Sequence, residues 1–434
     1  MFFNCCFYFT DKSSNYGRHF VLGFTEHIYS NSDILISVVA KFNTDVTITA
    51  LTSSRPLFTS HIKAGKVMEY RLPNGLKMQG TNIQSKGIEI NSTNDITVFC
   101  LNHFHDTSDG YLALPTNALG TIYVVASYQA RWSSNFGIIS GNDETNIRIT
   151  LNTSGTITYR GISYSKGSSF SITLEKLETF HMSHSYDLSG TIITANKPIS
   201  VLSGDKCANV GGGACDHLAA FLLPVRNWGK EFVVATTGRM NKRVGDIFRV
   251  FAYENNTIVR EDSGEISVLS SGEFMEIDLA GGNLTSFINC NKPCQVVQYV
   301  KGYRTEFGYN SDPSIIVLPS IKQFLSYYHV NFFALSHYRR HSVTLLIKKS
   351  YNNGLVMNGI RMRGLQWETI NGTEYTWTVV DVSSFDNVTI FHTSPEATFG
   401  LLVFGEGNYV SYGYPGGFAL THASDGKTIF LHSL

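Results

Sequence analysis

No apolar run in the chain approaches the ~20 residues that a membrane-spanning helix needs. The 434 residues carry 34 Lys+Arg and 34 Asp+Glu, so no net field draws in nucleic acid or an anionic membrane. There is no polybasic run and no acidic tail. Motifs of catalysis are missing too. We find no Gly-x-Ser-x-Gly elbow, no His-Glu-x-x-His, no phosphate loop and no dinucleotide fingerprint. Triads assemble from scattered residues, so only motif-borne enzymes are set aside by this. The sequence calls for no catalytic residue, no cofactor and no metal. Charge is low at 16%, and no long amphipathic helix is evident. What remains is 43% hydrophobic and rich in Tyr, Phe, Thr, Ser and Gly. That balance favours strands over helices.

Three markers recur along the chain, and recurrence at a fixed period signals a repeat architecture. The first is an alternating strand after polar residues: Asn43–Thr49, Glu144–Thr150, Asn256–Arg260 and, more loosely, His341–Ile347. The second is a turn glycine before a strand. Gly65, Gly167, Gly272 and Gly372 recur at roughly 100-residue intervals. The third is an expected hairpin, turning at Ser92–Asp95, at Asn196-Lys197-Pro198, at Asn291-Lys292-Pro293 and near Ser394-Pro395. Leu114-Pro115, Leu223-Pro224 and Leu318-Pro319 punctuate the copies. The expectation is an all-β fold of four tandem repeats, 16–113, 114–222, 223–317 and 318–434. Residues 1–15 are apolar but lack a basic region and a small-residue cleavage site, which makes a poor signal peptide; they are read as a leader or a truncated start, because the repeat pattern begins cleanly only near Tyr16. β-Sandwich modules are the first reading of each copy. A β-propeller with two blades per copy is the alternative.

The seven cysteines are Cys5, Cys6, Cys100, Cys207, Cys215, Cys290 and Cys294. Cys207 and Cys215 bracket a loop containing Gly211–Gly213, and a local disulfide is expected there. A zinc site using His217 would need four ligands, and no second close pair lies nearby. Cys290 and Cys294 flank the third Asn-Lys-Pro turn and are expected to pair across its hairpin. Cys100 ends an apolar strand and is read as a buried free thiol. Six Asn-x-Ser/Thr sequons, at Asn91, Asn152, Asn255, Asn283, Asn371 and Asn387, permit glycosylation. Two close cysteine pairs fit an oxidising compartment.

The remaining candidates have blander readings. His103, His105, Asp106 and Asp109 form the densest cluster of potential metal ligands, set against a polar loop over Asn102–Gly110. His181 and His184 are read as solvated. Asp246 and Arg249, with Arg239, Lys242 and Arg243 near in sequence, offer a charged ligand surface or a salt-bridged strand edge; the edge is preferred.

The Pro198–Gly229 stretch carries the most distinctive residues: Gly204-x-x-Cys207, Cys215-Asp216-His217-Leu218 and Pro224-x-x-x-Trp228-Gly229. With Phe232-Val233-Val234, Gly245–Val250 and Asn256-Thr257 following, it resembles the IgGFc-binding protein N-terminal domain family, over about Tyr16 to Tyr414. The resemblance implies an extracellular, secreted, mucosal or surface-associated protein. It implies Fc of IgG as a partner only by analogy with the family's namesake. The leading expectation is therefore a non-enzymatic recognition or adhesion protein that binds an extracellular protein or glycan. The alternatives are a carbohydrate-processing enzyme on a propeller-like scaffold and a structural mucus or matrix component.

Overall fold

The computed structural model describes residues 14–129, 131–212, 214–237, 244–305 and 307–421. The expected leader up to residue 13, with Cys5 and Cys6, lies outside them, as do Gly213, Arg239, Lys242 and Arg243. The described chain is all-β, with a few single-turn 3-10 helices.

Strand pairing falls into sets that share one device, a long strand passing from one sheet layer to another. In the first set this strand is Ile88–Phe104. Its first half pairs with Gly17–Leu22 and Thr44–Ala50. Its second half pairs with Asp33–Ala40 and Thr107–Leu112. Ile192–Ala208 does the same between Gly120–Val124 and Thr145–Thr150, then Ser134–Ser140 and Asp216–Phe221. Thr285–Val300 does it in the third set, ending against Asp246–Ala252 and Ser314–Val317. In the fourth set the strand is broken at Ser394-Pro395 into Asn387–His392 and Phe399–Gly407.

The expected hairpins are thus, in three sets, kinks in continuous strands. The Asn residues there do not reverse the chain. Asn196 Oδ1 accepts from Asn146 N at 2.8 Å, and Asn291 Oδ1 accepts from Ile258 N at 2.8 Å. Each satisfies a backbone donor on the neighbouring strand where the ladder is interrupted. Two other markers mislead. The strand after Gly167, Ser169–Leu174, lies on the Thr145–Thr150 layer, whereas Val67–Leu72 and Phe274–Leu279 edge the other layer. His341–Ile347 takes the place of Asp33–Ala40, pairing with the second half of the long path. Alternation of period two reports a half-buried strand and is blind to which layer it joins.

Cys290 and Cys294 are bonded, with Cα atoms 6.4 Å apart. Four residues of regular strand span about 13 Å, so the bridge staples a kink in one strand instead of spanning a hairpin. Replacing both by Ser should cost about 2 kcal/mol, the loop-entropy value for so short a ring. Urea unfolding of the secreted chain reads this. Cys207, the last residue but one of the Ile192–Ala208 strand, is also bonded to Cys215 beyond its end.

Four inner strands, Thr107–Leu112, Asp216–Phe221, Ser314–Val317 and Val410–Pro415, pack in a cycle, each against the next and the last against the first. Glycines that open strands let neighbouring sets close up. A Cβ on Gly17 would meet Pro115 at 2.4 Å, and one on Gly120 would meet Pro224 at 2.5 Å. The ends of the described chain meet as well: Asn15 N donates to Phe418 O at 3.2 Å.

Candidate functional site

The cycle has a carboxylate at its centre. Asp109 is fully buried. Its Oδ1 accepts from Gly110 N at 2.8 Å and Gly413 N at 3.1 Å. Its Oδ2 accepts from Ala219 N at 3.1 Å and Ile315 N at 3.0 Å. One side chain therefore ties together all four inner strands. Burial pushes its pKa well above the ordinary carboxylate range, and the four donors pull it back in part. Both oxygens already accept two N–H groups, so a proton finds no vacant lone pair, and the geometry fits the ionised form.

The other members of the expected metal cluster are scattered around this centre. Asn102–Gly110 is no polar loop: His103 and Phe104 end one strand, His105-Asp106 is a tight turn, and Asp109 lies inside the next strand. His103 is buried beside His337 and Tyr338, and burial lowers its pKa to about 4. His105 stands exposed against Asp106 at 3.6 Å. Among the described residues no group of three or more His, Cys, Asp or Glu is arranged to hold a metal ion. His217, the zinc candidate beside the bonded cysteines, is buried against His27.

Other candidates are also interior. His181 is buried, not solvated, with Nδ1 2.6 Å from Gly80 O; His184 is half-buried. Cys100 is a buried free thiol whose pKa burial pushes up to about 12. Arg249 is no edge residue. Its strand lies between Phe274–Leu279 and Thr285–Val300, which buries the side chain. Its guanidinium reaches Asp187 at 2.8 Å, Glu276 at 2.9 Å and Ser127 O at 3.0 Å. It also lies over the rings of Tyr128, Phe274 and Tyr299. It clamps the second set to the third. Asp246, three residues earlier on the same strand, is buried, accepts from Thr237 N and Gln298 Nε2, and has its pKa raised by burial to about 6.

The sequons differ in access. Asn91, Asn255, Asn283 and Asn371 are exposed and Asn387 is half-buried. The Asn152 amide nitrogen donates to Ser189 O at 3.1 Å and to Gly272 O at 2.9 Å, between two sets. Glycopeptide mapping of the secreted chain should find Asn152 bare and the exposed asparagines occupied.

An open cavity of about 700 Å³ lies where the third and fourth sets meet. Phe307, Gly308 and Tyr309 line one side, Arg339 and Arg340 another, and Asp381, Ser383 and Asn408 the rest. Phe307 is 61% exposed and its ring lies nearly parallel to that of Tyr309. Arg340 is held: its Nε donates to Asp381 Oδ2 at 3.0 Å, and Nη1 lies 3.6 Å from Glu406. Glu406 is buried, which raises its pKa, and it accepts from the Tyr303 hydroxyl at 3.0 Å. Arg339 is exposed and has no hydrogen bond or ion pair to a described residue. Asp381 is the one carboxylate among the described residues of this lining. Nothing in the sequence marked this site. Its residues come from four separate segments and form no motif.

The family model described as IgGFc binding protein matches residues 109–405, from the axial aspartate to the strand behind this cavity. The chain belongs to the IgGFc-binding protein family. The human IgGFc-binding protein is 27% identical over 377 residues, which are 85% of this chain and 7% of that protein. The chain thus spans a small part of the length of this family relative. Among solved structures, the major pilin of Streptococcus pyogenes aligns at 9% identity and a TM-score of 0.10, covering 69% of this chain and 97% of the pilin. The SpaC pilus adhesin of Lactobacillus rhamnosus GG aligns at 8% and 0.13, covering 88% of this chain and 56% of the adhesin. Likeness at that level assigns neither fold nor function. Among the described residues no helix is long and apolar enough to cross a membrane.

Proposed function

We propose that the chain is a non-enzymatic extracellular recognition unit that holds a protein or glycan partner at the junction of the third and fourth strand sets. The observation that carries this is the open cavity with an exposed aromatic ring and, beside it, Arg339, which has no hydrogen-bond or ion-pair partner among the described residues. Binding sites gather a few convergent polar groups on a rigid frame, often where modules meet. The frame here is the strand cycle closed on Asp109, whose strand Val410–Pro415 follows Asn408 of the lining. Family membership supports the extracellular reading, as do the two bonded cysteine pairs.

The test is surface binding of the secreted chain to immobilised mucin-type glycoprotein and to immunoglobulin. Phe307→Ala and Arg339→Ala are run beside the parent. Both side chains are exposed, so stability should change by less than about 0.5 kcal/mol. The expected result is capture by one of these surfaces, weakened about tenfold or more in each variant. Undiminished capture in both variants would remove the junction as the binding site.

A further inference from the structure

We infer that this cavity takes an anionic saccharide, with a carboxylate or sulfate group on Arg339 and a sugar face on Phe307; this rests on the junction being the binding site. Charge is the first argument. Arg340 is committed to Asp381 and Glu406, and Tyr303 adds a hydrogen bond to Glu406. Arg339 has no such partner among the described residues and stands at the open wall. A guanidinium presents a planar fork of donors that matches a carboxylate or sulfate in two-point contact.

Shape and polarity are the second argument. The parallel rings of Phe307 and Tyr309 give a flat apolar wall, and aromatic faces carry negative charge that attracts polarised C–H groups. Asp381, Ser383 and Asn408 share the lining. Asp381 accepts from Arg340 Nε and Ser383 N, the Ser383 hydroxyl is bonded to His341, and Asn408 Oδ1 accepts from Asn310 N, which leaves the Asn408 amide NH₂ and second lone pairs on these oxygens for the hydroxyls of a sugar. The volume of about 700 Å³ lies in the range of small-ligand sites. A protein partner is the weaker fit. Protein hot spots need several apolar anchors in a dry centre, and here Phe307 is the one large exposed apolar side chain of the lining.

The experiment is titration of the secreted chain with lactose, sialyllactose and 3-sulfated lactose, read by calorimetry or ligand-observed NMR at two salt concentrations. We expect an acidic sugar to bind about tenfold or more tightly than lactose, with a preference that shrinks at high salt. The carboxylate and sulfate probes separate the two sources of charge. Arg339→Gln should erase the preference, and Phe307→Ala should weaken acidic and neutral sugars alike. Equal binding of lactose, or no binding of any probe, overturns the inference. So does a preference that survives Arg339→Gln. Loss of glycoprotein capture in Phe307→Ala with no acid preference would leave the junction standing and remove only the saccharide class. Unchanged glycoprotein capture in both variants would remove the junction itself.

Discussion

Asp109→Ala is expected to prevent accumulation of folded protein. The substitution leaves four backbone N–H groups, from Gly110, Ala219, Ile315 and Gly413, without their acceptor. A buried donor left unpaired costs about 1–3 kcal/mol, so four amount to roughly 4–12 kcal/mol. Native stability is about 5–15 kcal/mol. The loss is therefore comparable with the whole margin. Asp109→Asn keeps one oxygen and turns an amide NH₂ toward the other two donors, so it should be nearly as damaging. Asp106→Ala is the control. That side chain sits in the tight turn, with Tyr29 as its hydrogen-bond partner at 3.3 Å, and its loss should cost about 1 kcal/mol or less. Secretion yield and urea unfolding of the three variants separate the cases. An Asp109→Ala protein as stable as the Asp106→Ala protein would show that the strand cycle does not depend on its axial carboxylate.

Arg249→Ala is expected to destabilise by about 3–5 kcal/mol, the range for removing one partner of a buried ion pair. It takes the cation from Asp187 and Glu276 and from among three rings, and removes one of the donors to Ser127 O, while Asp187 keeps Ser127 Oγ and Ser189 N as donors and Glu276 keeps contact with solvent. Arg249→Lys keeps the charge and loses the fork, so it should recover part of the loss. Asp187 is about one-fifth exposed, so water relieves some of the cost at that end. Because the clamp joins the second set to the third, local opening at that joint should rise. Hydrogen exchange at Ser127–Gln129 and Asp187–Ser189 reads this directly. Protection equal to the parent protein would assign Arg249 to the third set alone.

Much of the architecture was legible, for physical reasons. Strands announce themselves by alternation, and the all-β class follows from composition. The bonded cysteines were visible because each pair lies within a short loop or kink. The failures have one cause: periodicity is local, and burial is not. Asn196-Lys197-Pro198 has the chemistry of a turn, yet the strand runs through it, because long-range partners on both layers hold each half extended. Asp109, His181 and Arg249 have the chemistry of a surface, yet lie inside, because other sets deliver acceptors and donors across a hundred residues or more. The cavity at Phe307 and Arg339 escaped for the same reason, since its walls meet only in three dimensions.

Work outside the cell as a recognition unit is tested most directly by peptide-mapped alkylation of the full chain secreted from eukaryotic cells, before and after denaturation and before and after reduction. Cys207, Cys215, Cys290 and Cys294 should label only after reduction, and Cys100 on denaturation alone. Free thiols at all four paired positions in correctly folded protein would contradict the extracellular account.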